Sequence, residues 1–492
     1  MAEYVDSAVQ TVLSSSRLKL AHPGNAKLTQ VYPTPSETTS VLAQAINHRG
    51  QFRVSPNNLN FNSRSDFILS SSALISEMAI NGVVTIANGD PARPLKPVAV
   101  GWGFDVIESI EITYSNSLMQ NMFIRGETLK DYSLLCCCSA KERQDLLKAA
   151  GQAVLITEAV DGVNIYRFTV PISFLNHTVA SLRNSWPVDG SVLAGPIQVA
   201  INWRPSNVGF VKGAGALGAF PNAFTSLELV CKTTQLQDAS FSVKKAMMLD
   251  PQLVYSLPAR YITSVDYSRV IAAPAVVGGV LQYQPFTLNL ASAPSGMLEG
   301  IIVSIRPQGG AAPLDDWVNP VAQGTVPYKG GSVTLDQIRL EFGGQNIFRV
   351  DSYEECQHFQ RSTFGDTLEW SGIYYTPDIA TTVVAAGTNV FRHMVYFIPL
   401  VNDGCSVFRH HTNENLPSYG GSQLQLTLRP SAFQRVKMGR DASVNDRLGG
   451  HASGMEGGDY TVAQRGTNFQ IWVGFIVSGL LEISQGTVDL QL

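Results

Sequence analysis

Apolar and polar residues alternate with period two in segment after segment of this chain, the pattern of strands with one face in a core. In "IEITY", Ile110, Ile112 and Tyr114 share one face and Glu111 and Thr113 the other. "PIQVAINW" aligns Ile197, Val199, Ile201 and Trp203, and "SLELVC" aligns Leu227, Leu229 and Cys231. Later come "FTLNL" (Phe286, Leu288, Leu290), "IRLEF" (Ile338, Leu340, Phe342) and "LQLTL" (Leu424, Leu426, Leu428). Clusters of Gly, Pro, Asn and Asp punctuate these segments. Helical spacing is rare. "SAKERQDLLKAAG" carries a capping box in Ser139 and Glu142 and a C-terminal stop in Gly151. Val5, Val9, Val12 and Leu13 stand at helical spacing near the start. The pattern predicts an all-β protein of sandwich or barrel type.

The pattern also repeats. Val170-Pro171-Ile172 and Ile398-Pro399-Leu400 lie 228 positions apart, as do "IEITYSNS" (110–117) and "IRLEFGGQ" (338–345). "INWRP" (201–205) and "LTLRP" (426–430) lie 225 apart. "SLELV" (226–230) and "FQIWV" (469–473) lie 243 apart, which implies an insertion around 430–468 in the second half. Apolar alternation alone is common, but four matches in the same order predict a duplicated unit. Two sandwiches of this size suggest two tandem eight-stranded jelly rolls with long loops and a few short helices. The expected division is an N-terminal arm at 1–54, a first jelly roll at 55–270 and a second at 271–492, with the linker near Pro274 and Gly278-Gly279.

Composition sharpens this. A chain of 492 residues exceeds one ordinary core. Charged residues are only 15%, against about 25% in a typical soluble protein. So weakly charged a surface suits a subunit that buries its flanks against others. The net charge of −4, with no Lys/Arg cluster, gives no reason to expect specific nucleic-acid binding. "MAEYVDSAVQTVLSSSR" lacks a basic start and apolar block, so the chain is expected to be made in the cytosol. "IWVGFIVSGLL" is too short to span a bilayer as a helix.

Candidate chemistry is thin. Cys136, Cys137 and Cys138 are consecutive and lack the paired spacing that wraps a metal ion. Cys231 stands alone in a strand, and Cys356, His358, Cys405, His410 and His411 show no ligand spacing. Gly213-x-Gly215-x-x-Gly218 matches a dinucleotide fingerprint, yet Pro221 and Asn222 follow where a helix should begin, so a loop is expected. No His-x-His pair supports a double-cupin metal site, and no GxSxG supports a nucleophile elbow. Asp315, Asp316, Glu354 and Glu355 are adjacent acids of the kind a glycosidase pairs, but such residues are more often turn or surface groups. No catalytic, cofactor-binding or metal-binding residue is assigned, and no enzyme activity is expected.

At the level of element order, roughly residues 55 to 492 resemble the double jelly-roll major capsid proteins of the adenovirus and tailless-phage lineage. The similarity is greatest to the versions from polinton-like viruses, virophages and large eukaryotic DNA viruses. It rests on "VIESIEITYSNSLMQNMFIRG", "YRFTVPISF" and "SWPVDGSVLAGPIQVAINW" in the first half. In the second it rests on "IRLEFGGQNIFRVDSYEE", "VYFIPLV" and "LPSYGGSQLQLTLRP". The stretch after the first proline departs from the large-virus proteins, having only Phe174 where they are aromatic-rich. The resemblance implies a structural protein of the virion, assembled inside the host cell. It implies a homotrimer whose six barrels form a pseudo-hexameric capsomer of an icosahedral double-stranded DNA virus. The implied partners are neighbouring capsomers, penton and minor capsid proteins, with an internal membrane as a further candidate contact. The arm is expected on the inner face or docked on a neighbouring subunit. The alternative reading is a two-sandwich carbohydrate-binding or glycan-cleaving protein.

Overall fold

A computed structural model of the chain describes residues 46–69, 74–87, 96–97, 101–114, 122–137, 140–151, 163–172, 175–177, 195–211, 219–236, 255–270, 272, 275–294, 296–308, 335–364, 369–374, 389–394, 396–400, 418–419, 423–431, 433–437, 459–463, 468–484 and 487–491. Eight main strands make the first half: β1 (Ile46–Val54), β2 (Arg64–Leu69), β3 (Leu74–Ala87), β4 (Ile107–Tyr114), β5 (Met122–Arg125), β6 (Val163–Pro171), β7 (Ile197–Trp203) and β8 (Ser226–Leu236). Eight more make the second: β9 (Tyr255–Val270), β10 (Phe286–Asn289), β11 (Gly296–Gln308), β12 (Leu335–Phe342), β13 (Gln345–Val350), β14 (Tyr396–Pro399), β15 (Leu424–Pro430) and β16 (Asn468–Ser484).

The first half forms two antiparallel sheets, ordered β1-β8-β3-β6 and β2-β7-β4-β5. The second half forms β9-β16-β11-β14 and β10-β15-β12-β13, the same order with eight added to every number. Each half is therefore an eight-stranded jelly roll, and the expected fold class holds. The four matches read from the sequence fall on equivalent strands: β4 and β12, β6 and β14, β7 and β15, β8 and β16.

The repeated proline has a physical reason. β6 and β14 sit next to β3 and β11 at the sheet ends, and each closes on a proline, Pro171 opposite Ala79 and Pro399 opposite Gly300. Proline has no donor for the ladder and is tolerated at such an edge. The next residue resumes the pairing: Ile172 N donates to Met78 O at 2.9 Å, and Leu400 N to Glu299 O at 3.0 Å.

Two boundary elements differ from the expected division. Ile46–Val54, placed in the arm by sequence, pairs with Val54 opposite Leu229 and Phe52 opposite Cys231 inside the first sheet. Tyr255–Val270, placed in the first roll, pairs along its whole length with Asn468–Ser484 of the second. Leu175–His177 pairs with the other edge of β9, so that this long strand is covered on both sides over Ala259–Tyr261. Glu369–Tyr374, Asn389–Met394, Phe433–Lys437 and Asp459–Ala463 form a separate four-stranded sheet. Half of that sheet comes from the expected insertion around 430–468, and the first roll's described residues show no counterpart.

The helices mark the same duplication. After α1 (Trp102–Asp105), α2 (Gly126–Leu135) follows β5 directly, α3 (Ala140–Ala149) comes next, and α4 (Tyr353–Phe364) follows β13. Only α3 was legible as a helix; its cap Ser139 lies outside the described residues. Gly151 ends α3 with φ +126, and a Cβ there would lie 2.4 Å from Trp102 Nε1. Around Trp102 the first core is aromatic, with Phe168 and Phe210 rings at 5.0 and 4.9 Å and Phe224 joining through Trp203 at 4.6 Å. The second core is mainly aliphatic, built on Leu288, Ile301, Val303, Leu340, Leu426 and Val473. Within it the Tyr396 hydroxyl accepts Leu335 N–H at 2.7 Å, and burial holds that phenol well above its usual pKa.

Candidate functional site

A jelly roll has two sheet faces turned away from its core, and these are where one roll can meet another. The outer face of β9-β16-β11-β14 carries Ile262, Ile302, Phe397, Trp472, Gly474 and Ile476, all buried. What buries them is the first roll, through α2 and the end of β5. At the centre, a Cβ on Gly474 would lie 2.3 Å from Thr128 Cγ2, so only glycine lets the helix approach the strand this closely.

Polar contacts fix the placement. Ser304 Oγ donates to the Asp131 carboxylate. Arg125 N donates to Ser264 Oγ at 2.7 Å, and Thr263 Oγ1 donates to Phe123 O at 3.1 Å. The Arg125 guanidinium reaches Asp266 through Nε at 3.0 Å, reaches Glu108 at 3.3 Å, and lies 4.9 Å over the Phe123 ring. Burial raises the Asp266 pKa above the usual carboxylate value, although the Arg125 hydrogen bond and charge pull it down.

α2 is itself locked into the first roll. Lys130 pairs with Asp105 at 2.9 Å and Arg204 with Glu127 at 2.5 Å, and all four side chains are buried. Arg204 Nη1 also donates to Asp105 O at 3.0 Å. Burial is the largest influence on the Arg204 pKa and lowers it, but the Glu127 charge and hydrogen bond, with the Asp105 and Glu108 charges, together outweigh it and the net direction is up. Arg204 is the arginine of the first "Arg-Pro" strand end, so that repeated dipeptide anchors the helix that makes the seam.

The equivalent face of the first roll is open. Anchored on the two prolines, the registers match: Val230 sits opposite Ala79 as Ile476 sits opposite Gly300, and Glu228 opposite Asn81 as Gly474 opposite Ile302. Ala79, Val230 and Pro171 make an apolar centre. Around it Arg53 bridges Glu228 at 2.8 Å and Lys232 bridges Glu77 at 2.5 Å, with the lysine and arginine side chains each 58% exposed. Between this face and the helices lies a groove of about 650 Å3, walled by Tyr132, Ser133, Cys136, Glu142 and Leu146. Asn81 Oδ1 and Ser133 Oγ are buried in it without a hydrogen-bond partner among the described residues.

The residues weighed for chemistry take structural roles where they are described. Glu354 and Glu355 open α4, where Glu355 Oε2 accepts Asp351 N–H at 2.8 Å and Ser352 Oγ accepts Glu355 N–H at 3.0 Å. Ser352 thus caps the helix, and Glu355 reaches back one residue beyond the N–H it would hold in a capping box. Burial pushes the Cys231 and Cys356 thiols up to about 12, which removes the reactive thiolate at neutral pH. Cys136 and Cys137 are half-buried, the Cys137 thiol donates to Ser133 O at 3.4 Å, and His358 is exposed on α4. Among the described residues, no group of three or more His, Cys, Asp or Glu is placed to hold a metal. The first 45 residues, Cys138, Gly213–Gly218, Asp315, Asp316, Cys405, His410 and His411 lie outside the described residues. The sequence reading missed the seam, although "QNMF" (120–123) and "QNIF" (345–348) stand at one offset just before α2 and α4 and mark it.

No protein-family model matches the sequence, and no curated protein is significantly similar to it. Solved structures do share the fold. VP54 of PBCV-1, fitted into a reconstruction of the virophage Sputnik, superposes with a TM-score of 0.55 at 11% identity, over 90% of this chain and 96% of that one. The Faustovirus major capsid protein gives 0.53 at 9% identity, over 98% and 99%. A chain of the Sputnik virophage structure gives 0.50 at 8% identity, over 91% and 89%. At such identities the likeness is one of fold, and it spans both rolls.

Proposed function

We propose that this chain is a major capsid protein, a structural subunit of the icosahedral virion of a double-stranded DNA virus. The observation that carries the reading is the double jelly roll itself. Its two rolls share one strand order, and the same architecture runs the full length of chains named as capsid proteins. Three such chains closing into a ring supply six barrels of similar shape, so a homotrimer presents pseudo-hexagonal sides to neighbouring capsomers. Closed rings built from head-to-tail contacts require two unlike surfaces on each subunit, and unequal rolls provide them. In this reading the rolls divide between 236 and 255, with strands 46–54 and 255–270 each opening a roll. Penton and minor capsid proteins, and an internal membrane, are the remaining contacts. The subunit works through interface geometry, and no bond chemistry is assigned to it. Native mass spectrometry of the soluble chain, followed by imaging of the purified oligomer, tests this. The expected result is a trimer with a six-cornered outline. A dominant monomer at micromolar concentration would overturn it and favour the glycan-binding alternative.

A further inference from the structure

We infer that the open face of the first roll receives β13 and α4 of a second copy of this chain, repeating between chains the seam made within one. The inference rests on the trimeric reading and names its contact surfaces.

Three observations converge. First, the seam inside the chain is made by a fixed pair of elements: the strand-to-helix unit β5–α2 on the sheet face β9-β16-β11-β14. Both have counterparts, β13–α4 and β1-β8-β3-β6, in the same topological places. The intramolecular seam uses one helix unit and one sheet face, and among the described residues nothing makes the same seam between the second helix unit and the second face. A head-to-tail ring joins those two and no others.

Second, the open face lacks what the seam supplies. Ser304 in the seam is bonded by Asp131 of the covering helix. Asn81 faces outward on the matching strand, where Pro171 opposite Ala79 and Pro399 opposite Gly300 align it with Ile302 beneath the covering helix, and its Oδ1 is buried without a hydrogen-bond partner among the described residues. Ser133 Oγ, across the groove, is in the same condition. Buried polar atoms are rarely left unsatisfied, so a donor from an incoming element is the missing part.

Third, the incoming unit fits in charge and form. Ile347 of β13 is 40% exposed, one of the few large apolar side chains left on the surface. On α4, Glu354 and His358 are exposed and four apart, on one face of the helix. The receiving rim carries the exposed pairs Arg53–Glu228 and Lys232–Glu77 beside the apolar Val230 and Ala79. Glu354 entering there can share the exposed Lys232 with Glu77, while Ile347 covers apolar groups.

The test mixes isotopically light and heavy chains, lets them exchange, and applies a zero-length carboxyl-to-amine crosslinker. Expected are mixed-isotope crosslinks joining Glu354 or Glu355 to Lys232. Asn81→Trp fills the groove from an outward-facing position. It should shift the native mass from oligomer to monomer while the thermal unfolding midpoint of the chain changes little. Glu354→Lys should lower oligomer affinity about tenfold or more at low salt, and Lys232→Glu in the same chain should restore it. An oligomer whose crosslinks join other surfaces, or that survives Asn81→Trp, overturns this assignment and leaves the capsomer standing. A wild-type chain that never oligomerises overturns both.

Discussion

The two outer sheet faces are the same surface built twice, and they differ in what water must tolerate. On the second roll, the register positions opposite one another are Gly474 and Ile302, Trp472 and Ser304, Ile262 and Ile476. On the first, the outward pairs are Val230 and Ala79, Glu228 and Asn81, Gln51 and Lys232. The first set never meets solvent, because α2 is carried to it by the same chain. It is apolar, with a glycine where the helix presses. The second set faces water until something docks, and it carries ion pairs across its edges. A permanent contact can therefore be specialised for closeness, whereas a contact formed later must keep its surface soluble beforehand.

This contrast breaks most sharply at the buried pair that seats α2. Glu127→Ala leaves Arg204 charged in the interior without its paired carboxylate, and the cost is expected at about 3–5 kcal/mol, read as denaturant midpoint at constant slope. Next comes the close approach. Gly474→Val inserts carbon into the space held by Thr128 and should cost about 1–3 kcal/mol, whereas Val230→Ile on the open face should leave the isolated chain's midpoint unchanged. If both substitutions were equally mild, the seam would not be a packed contact.

The open face should contribute little to the folded subunit. Lys232→Ala and Glu77→Ala, separately or together, should alter stability by less than about 1 kcal/mol, since both side chains are more than half exposed. Their effect belongs in association instead, and it should fade with added salt.

Asp266 sharpens the comparison from the seam side. Its pKa is raised in the folded state, so between the ordinary carboxylate value and that raised value the native chain holds more proton than the unfolded one. That makes its contribution to stability fall as pH rises through this window. Asp266→Asn should accordingly be nearly neutral at pH 7 and flatten the stability profile slightly on the acid side. A large loss at pH 7 would show that the ionised pair with Arg125 dominates its burial.

Much of this architecture was legible in the sequence because strands with one buried face alternate strictly, as Ile110, Ile112 and Ile197, Val199, Ile201 do in the core. The prolines at 171 and 399 were readable for the same kind of reason: an edge position admits proline and the next residue rejoins the ladder. The seam was not legible. α2 has nearly every residue buried, including Glu127, Thr128 and Lys130, so it shows no amphipathic stripe. A helix enclosed on all sides loses its periodic signature. The roll boundaries near 54 and 270 are not legible for another reason. Strands β1 and β9 are defined by their distant partners β8 and β16, and nothing local separates them from a tail or a linker.

The central claim is that one contact, helix unit on sheet face, joins every pair of neighbouring rolls. A cryo-electron microscopy map of the isolated oligomer tests it most directly. The account predicts six barrels in a ring, with β5–α2 on the β9-β16-β11-β14 face inside each chain and β13–α4 on the β1-β8-β3-β6 face between chains. A ring or dimer in which the β1-β8-β3-β6 face stays bare, or meets a copy of itself, would contradict it.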